Sequence, residues 1–333
     1  MAEDEPQTRE SPDDHRLKQP TVASPIGRRR GGRDRTEDTP GGDPREPGRR
    51  TTRRGVHRPG LLGFAAFLLW PTLRGVYLSF TRFNLLTPPE WVGLDNYVRM
   101  VNDPIFWDSL LVTVEYVVIN IGVQTMSALA IAVLLQRLTQ SAVLRGIVLT
   151  PYLMSNVVAG IVWLWMLDTQ LGIGNEIIAG LGFDRIPFLA DETWAIPTIA
   201  LINVWRHVGY TALLLFAGLM AIPNDVYEAA KVDGASEWRM FWRITMPLLR
   251  PVLAVVLIMT VIGSFQVFDT VAVTTAGGPA NATNVLQYYI YGAAFGRFQF
   301  GYASAMSVAL LVVLSAITVL QYRITRAGQS DLG

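Results

Sequence analysis

The chemistry open to this 333-residue chain is narrowed first by which reactive residues it has and where they stand. Cysteine is absent, which removes disulfides, thiolate metal sites and cysteine nucleophiles together. The three histidines, His15, His57 and His207, form no cluster that would hold a metal. Lys18 and Lys231 are the two lysines, and neither follows a Gly-x-x-x-x-Gly loop of the kind that cradles nucleotide phosphates. No His-Glu-x-x-His, Gly-x-Ser-x-Gly or Gly-x-Gly-x-x-Gly arrangement occurs, so no catalytic residue is assigned. If ATP drives this protein, another chain must bind it.

What remains is a set of polar side chains inside apolar sequence: Asn156, Asn203, Arg206, His207, Ser264, Gln266 and Asp269. Groups of this kind face a bundle interior or a water-filled path and avoid lipid. Asn156 and Asn203 read either as hydrogen-bond partners between helices or as ligands for a passing solute. Arg206 and Asp269 are expected to pair with each other or with a second subunit, and His207 to be a satisfied lone polar residue. Helical spacing puts Phe265 and Phe268 on nearly one face with Asp269, an aromatic and polar lining. Trp163, Trp165 and Trp205 either stack on a ring or fill helix interfaces. Arg74 and Glu115 read as interfacial, near the outer ends of their segments.

The elements that position these residues follow from composition. Half of the residues are hydrophobic and 17% are charged, against about 25% in a soluble chain. The charge is also unevenly placed, because residues 1–60 hold fourteen of the 28 Lys and Arg and eleven of the 27 Asp and Glu. This segment reads as a disordered cytoplasmic tail, which cannot bury enough apolar surface to offset its ordering entropy. The rest, 61–326, reads as one membrane domain, with 327–333 a short cytoplasmic tail. A span needs about 20 mostly apolar residues to cross roughly 30 Å of hydrocarbon. Six stretches qualify: Leu61 to Phe80, Leu110 to Leu135, Ile147 to Leu167, Trp194 to Ala221, Val252 to Val273 and Ala303 to Tyr322. The first is interrupted by Pro71 and Arg74, and its polar leader argues against a cleaved signal.

Orientation follows from the Lys/Arg bias of short loops. With the amino terminus inside, the inner segments carry Arg137, Arg145, Lys231, Arg239, Arg243, Arg250, Arg323 and Arg326. The outer ones carry Arg82, Arg99, Arg185 and Arg297, so both termini are expected in the cytoplasm. The Arg-rich tail reads as a solvated topology signal, with specific binding to anionic lipid or a partner as the alternative.

The cytoplasmic loop 222–251 is the most specific segment. Asp225 followed by Glu228 resembles a capping box, opening a helix over Val226 to Val232. Asp233-Gly234 stops it, since Gly takes the left-handed conformation readily. Ser236 caps a second helix through Ile244, which Pro247 and Pro251 are expected to limit. Ala229, Ala230 and Ala235 leave small faces open to another protein.

Glu228-Ala229-Ala230, Asp233-Gly234-Ala235, Phe241, Ile244, Pro247 and Pro251 together resemble the EAA motif of permease subunits of binding-protein-dependent ABC importers. Tyr77-Leu-Ser-Phe80, Gly93-Leu-Asp-Asn-Tyr97, Asp103-Pro104, Leu149-Thr-Pro-Tyr152, Thr275-Ala-Gly-Gly-Pro279 and Gly301-Tyr-Ala-Ser-Ala305 are similar to segments of the carbohydrate type, as in maltose and glycerol-phosphate importers. The resemblance implies an all-α, six-helix type I importer domain in the cytoplasmic membrane. It implies Glu228, Ala229, Ala230, Asp233, Gly234 and Ala235 as the ATPase-coupling residues. Implied partners are a second permease, an ABC ATPase dimer holding ATP and Mg, and an extracytoplasmic binding protein. Membrane lipid is a further partner, nucleic acid is not, and no cofactor falls to the chain itself. The resemblance favours a sugar as cargo, with glycerol phosphate or a polyol as the alternative. A secondary transporter is the competing class, but no paired half-sequence supports it.

Overall fold

The computed structural model describes residues 62–138 and 141–327. The expectations for the 1–60 tail, and for nearly all of 327–333, lie outside the described residues. Among the described residues five helices are long and apolar enough to cross a membrane, and six if one bent pair counts as a single span.

Helix α1 (Leu62–Ser79) opens with a π turn over Ala65–Leu69, just ahead of Pro71. Proline has no N–H to give and its ring crowds the preceding turn, which the wider π turn accommodates. The helix lies nearly bare on this chain, with Phe67 85% exposed. A two-residue ribbon, β1 (Thr81–Arg82) with β2 (Glu90–Trp91), follows it. Helix α2 (Asp95–Val101) ties this ribbon back to α1. Asn96 Nδ2 donates to the carbonyls of Ser79 and Thr81, both at 2.9 Å, and the Tyr97 hydroxyl lies 2.7 Å from Ser79 Oγ.

The second span is longer than its apolar run implied. Helix α3 runs Pro104–Leu138, which places Glu115 eleven residues in and not near the outer start. Asp103 sets its beginning: Oδ1 accepts from the Ile105 N–H at 3.0 Å, with Pro104 following, where a missing N–H is harmless. The other oxygen, Oδ2, accepts from the hydroxyls of both Tyr289 and Tyr302 at 2.6 Å. One carboxylate thus joins α3 to α11 (Leu286–Tyr291) and to the last span, α12 (Phe300–Ala327).

The third span is not a single rod. It is a pair, α4 (Ala142–Leu153) and α5 (Asn156–Met166), bent by 90° at Met154-Ser155. Pro151 tightens the end of α4 into a 3₁₀ turn, and Met154 and Ser155 are both extended. After α6 (Ile173–Gly180) the fourth span, α7 (Glu192–Met220), packs along α3 through Ala128 and Ala132 on one side and Ala212 on the other, all fully buried. Small residues let helices approach closely where lipid supplies no hydrophobic drive between them. At Gly209 of α7 a Cβ would overlap the Val148 carbonyl, so α4 crosses α7 backbone to backbone.

The loop after α7 departs from expectation in two ways. Helix α8 (Asn224–Val232) begins straight after Pro223 with no side-chain cap, so Asp225 and Glu228 lie within it and form no capping box. The second helix of the loop, moreover, does not stop at the prolines. It runs as α9 over 237–265, because a π turn at Phe241–Thr245 absorbs the break that Pro247 would force. The chain then interrupts the expected fifth span at 266–268 before the short α10 (Asp269–Thr274).

Burial works against the charge on Asp103, but the two tyrosine hydroxyls and the Ile105 and Phe106 N–H groups outweigh it and hold the carboxyl below its ordinary value. Burial and the Asp103 carboxylate both push the Tyr289 hydroxyl up, which keeps it a donor. A carboxylate with a lowered folded pKa stabilises above its unfolded pKa and stops doing so as pH falls through the folded one. Asp103→Asn is therefore expected to lower stability by about 2 kcal/mol near neutral pH, since bonds to a charged group are worth about 1.5–3 kcal/mol each. Thermal unfolding in detergent should show this gap closing below about pH 4; an unchanged midpoint at neutral pH would contradict the role given to Asp103.

Candidate functional site: a polar cavity at two broken spans

The breaks in the third and fifth spans meet. Asn156, first residue of α5, donates from Nδ2 to Asp269 Oδ2 at 3.0 Å, and Asp269 is the first residue of α10. Helices α5 and α10 pack tightly enough that a Cβ at Gly160 would lie 2.6 Å from Val273 Cγ2. Around this junction is a cavity of about 340 Å³, walled by α3, α4, α5, α7, α9 and α10.

Its wall is mostly amides, hydroxyls and aromatic rings. Asn120 and Gln124, one turn apart on α3, begin a buried chain of hydrogen bonds. Asn120 Nδ2 donates to Ser264 Oγ at 2.9 Å, and Gln124 Nε2 to Thr211 Oγ1 at 2.8 Å, which links α3 to α9 and α7. Tyr152 and Tyr210 stack with centroids 4.5 Å apart and planes 10° from parallel.

Of the expected interior-facing residues, Asn156, Asn203, His207, Ser264, Gln266, Phe268 and Asp269 line the cavity. Phe265 does not: it is buried in the outer core with Tyr116, Val271 and Tyr302. The helix ends between Phe265 and Phe268, so the shared face expected from helical spacing is lost, and Phe268 packs on Tyr288 and Tyr291 instead. Arg206 is not on the wall and forms no ion pair with Asp269. Its Nε donates to the Met154 carbonyl at 2.8 Å and its Nη2 to the Tyr152 carbonyl at 3.3 Å. Those are carbonyls at the end of α4 that have no helical partner, and a guanidinium suits such a terminus. Arg206 Nη1 lies 2.7 Å from His207 Nε2. Arginine only donates, so Nε2 accepts and the ring proton sits on Nδ1, 3.0 Å from the Asn203 carbonyl. His207 is satisfied on both nitrogens, as its isolation in the sequence suggested.

Trp163 and Trp205 meet edge to face at 5.4 Å and wall a separate apolar recess, while Trp165 is 77% exposed. None of the three lines the polar cavity. Sequence reading missed Asn120, Gln124, Tyr152, Tyr210, Thr211 and Thr260, which do. The signal was present for the first two, since paired amides one turn apart inside an apolar span are rare and functional by default.

The 222–251 loop exposes much of its first helix. Helix α8 ends in a complete Schellman motif: Gly234 has φ +73°, Ala235 N–H reaches the Ala230 carbonyl at 2.9 Å and Gly234 N–H the Lys231 carbonyl at 3.0 Å. Ser236 Oγ then accepts from the Arg239 N–H at 3.4 Å and starts α9. Glu228, Ala229, Asp233 and Gly234 are exposed, whereas Ala230 is buried toward the bundle and Ala235 half-buried. The small residues thus serve two surfaces, and Ala230 is not free for another protein. Tyr227 OH, 3.0 Å from Thr245 Oγ1, anchors α8 to α9. The Arg137–Glu237 pair at 2.6 Å is more than half exposed at both side chains and adds little.

A family model described as the binding-protein-dependent transport system inner membrane component matches residues 124–327. The sulfoquinovosyl glycerol transport system permease protein SmoG of Agrobacterium fabrum is 33% identical, over 80% of this chain and 88% of that one. The trehalose/maltose transport system permease protein MalF of Thermococcus litoralis is 34% identical, over 80% and 91%. A chain in the crystal structure of a bacterial ABC transporter for the acidic polysaccharide alginate shares the fold, with a TM-score of 0.73 at 24% identity, over 82% of this chain and 94% of that one. Among the described residues, six candidate spans, counting the bent pair as one, with an exposed Schellman-capped helix and a polar cavity at two broken spans, have their place in that family: the chain belongs to the inner membrane components of binding-protein-dependent transport systems and is a permease subunit of an ABC importer.

Proposed function

We propose that this chain is one of two permease halves of an importer for a sugar. It works with a second permease, a cytoplasmic ATPase dimer that binds ATP and Mg, and an extracytoplasmic binding protein, and both its termini lie in the cytoplasm. The observation that carries the reading is the continuity between α8 and the cavity. From the Gly234 turn the chain enters α9, which continues for residues 237–265, about 43 Å at 1.5 Å per residue. It ends at the 266–268 break, beside Asp269 in the cavity wall. A push on α8 from an ATPase closing on nucleotide is carried by this rod to the point where the wall is discontinuous, and so the most easily rearranged. Glu228, Ala229, Asp233 and Gly234 present the docking face, while Ala230 and Tyr227 hold α8 to the bundle.

The cavity suits a polyhydroxylated cargo. Amides and hydroxyls such as Gln124, Asn203, Thr260 and Gln266 offer both donors and acceptors, and the stacked Tyr152 and Tyr210 offer an apolar ring face. The trehalose/maltose and sulfoquinovosyl glycerol systems of the two relatives support carbohydrate as the class.

In reconstituted complexes Glu228→Lys is expected to lower substrate-stimulated ATPase activity and uptake at least about tenfold, because reversing a charge within an interface costs more than about 1.4 kcal/mol. Gly234→Pro should do the same by a different route, since proline cannot take a φ of +73° or supply the N–H that closes the turn. Wild-type uptake in both variants would remove the coupling role from α8.

A further inference from the structure

The cavity has an unbalanced charge. Among the described residues that line it, Asp269 is the one formally charged group. It is only half-buried, and one oxygen, Oδ2, takes the hydrogen bond from Asn156. A carboxylate has about four acceptor sites, so room for further donors remains. Arg206 is not on the wall, and its three nitrogens turn to the Met154 carbonyl, the Tyr152 carbonyl and His207. His207 points its one proton at the Asn203 carbonyl, so it gives the cavity no charge-assisted donor. Arg206 thus makes no ion pair with Asp269 and offers the cavity no anion-binding group.

Sites that take phosphate, sulfonate or carboxylate rely on Arg, Lys or the free N–H groups of a helix start. Here Asp269 is itself the first residue of α10, so that helix start already carries a negative charge, although the side chain caps no N–H. Two further acceptors in the wall, Asn120 Oδ1 and Asn156 Oδ1, are buried with no donor, so the excess is of acceptors. We propose that Asp269 is the charge filter of the pathway: it accepts a hydroxyl or ammonium hydrogen from a neutral or amino-substituted sugar and turns away phosphorylated, sulfonated and carboxylated ones. The proposal rests on reading this cavity as the import pathway, and it sets aside glycerol phosphate as cargo.

The absence of cysteine makes the field measurable without knowing the cargo. Gly263 lines the cavity, and a Cβ there meets nothing within 4 Å, so Gly263→Cys places a single reporter thiol in open space. In the assembled complex, with cysteines of the partner subunits replaced, its reaction rates with a cationic and an anionic methanethiosulfonate of similar size are compared in inside-out vesicles. Each rate is normalised to that with a free thiol. The cationic reagent is expected to react about tenfold faster or more, given unit charges a few ångströms apart in a partly dry site. In the Asp269→Asn background, which keeps the shape and the Asn156 contact, the ratio should fall to within about twofold of one, because the removed charge was its source. A ratio near one with Asp269 present, or one that Asp269→Asn leaves unchanged, overturns the charge filter while leaving the import reading intact. If neither reagent reaches position 263 while a control Val143→Cys at the exposed start of α4 is labelled, the cavity is not an aqueous path and both readings fall.

Discussion

A chain can be interrupted inside a bilayer only where protein or a water-filled cavity satisfies the freed backbone groups. Here Arg206 does this for the third span, by donating to the carbonyls of Met154 and Tyr152 at the end of α4. Much of the site depends on that contact. It allows the 90° bend, which turns α5 so that Asn156 at its first position meets Asp269 at the start of α10. It also spends Arg206 on structure, leaving the cavity with a carboxylate and neutral partners. The close crossings at Gly209 and Gly160 hold the two broken segments where those bonds can form.

The second constraint is mechanical. A signal from the cytoplasmic face reaches the cavity only through elements stiff enough to carry it, and α9 is continuous from the Ser236 cap to Phe265 despite two prolines. The π turn at Phe241–Thr245 preserves that continuity: Met246 N–H reaches the Phe241 carbonyl, and the missing N–H of Pro247 falls where the ladder is already displaced. At the other end the rod stops abruptly, and the three residues 266–268 form a joint beside Asp269, which lines the cavity. Rigid in the middle and jointed at both ends, the segment links α8 to Asp269.

The spans were legible because hydropathy over some twenty residues is a property of the sequence itself. The breaks were not, since an interruption of two or three residues barely moves such an average; only Pro151 hinted at the first. The stop at Gly234 could be read from one residue type, because a positive φ favours glycine. The start of α8 misled, because Pro223 fixes it one residue ahead of Asp225 and leaves the acid no N–H groups to cap. Arg206 and Asp269 looked like an ion pair because sequence shows opposite charges but not the unpaired carbonyls that compete for the guanidinium. Asn120 and Gln124 were passed over inside a strongly apolar run, although in lipid a pair of amides is the more informative for that setting.

The central claim is that force generated on a separate ATPase moves this chain, and reconstitution tests it most directly. Uptake of the sugar bound by the cognate extracytoplasmic protein is followed in proteoliposomes containing this chain and the second permease, with and without the ATPase subunits, in the presence of ATP or of an imposed ion gradient. The account predicts uptake only when ATP, the ATPase and the binding protein are all present. Gradient-driven uptake of the same sugar by this chain without the ATPase would contradict it.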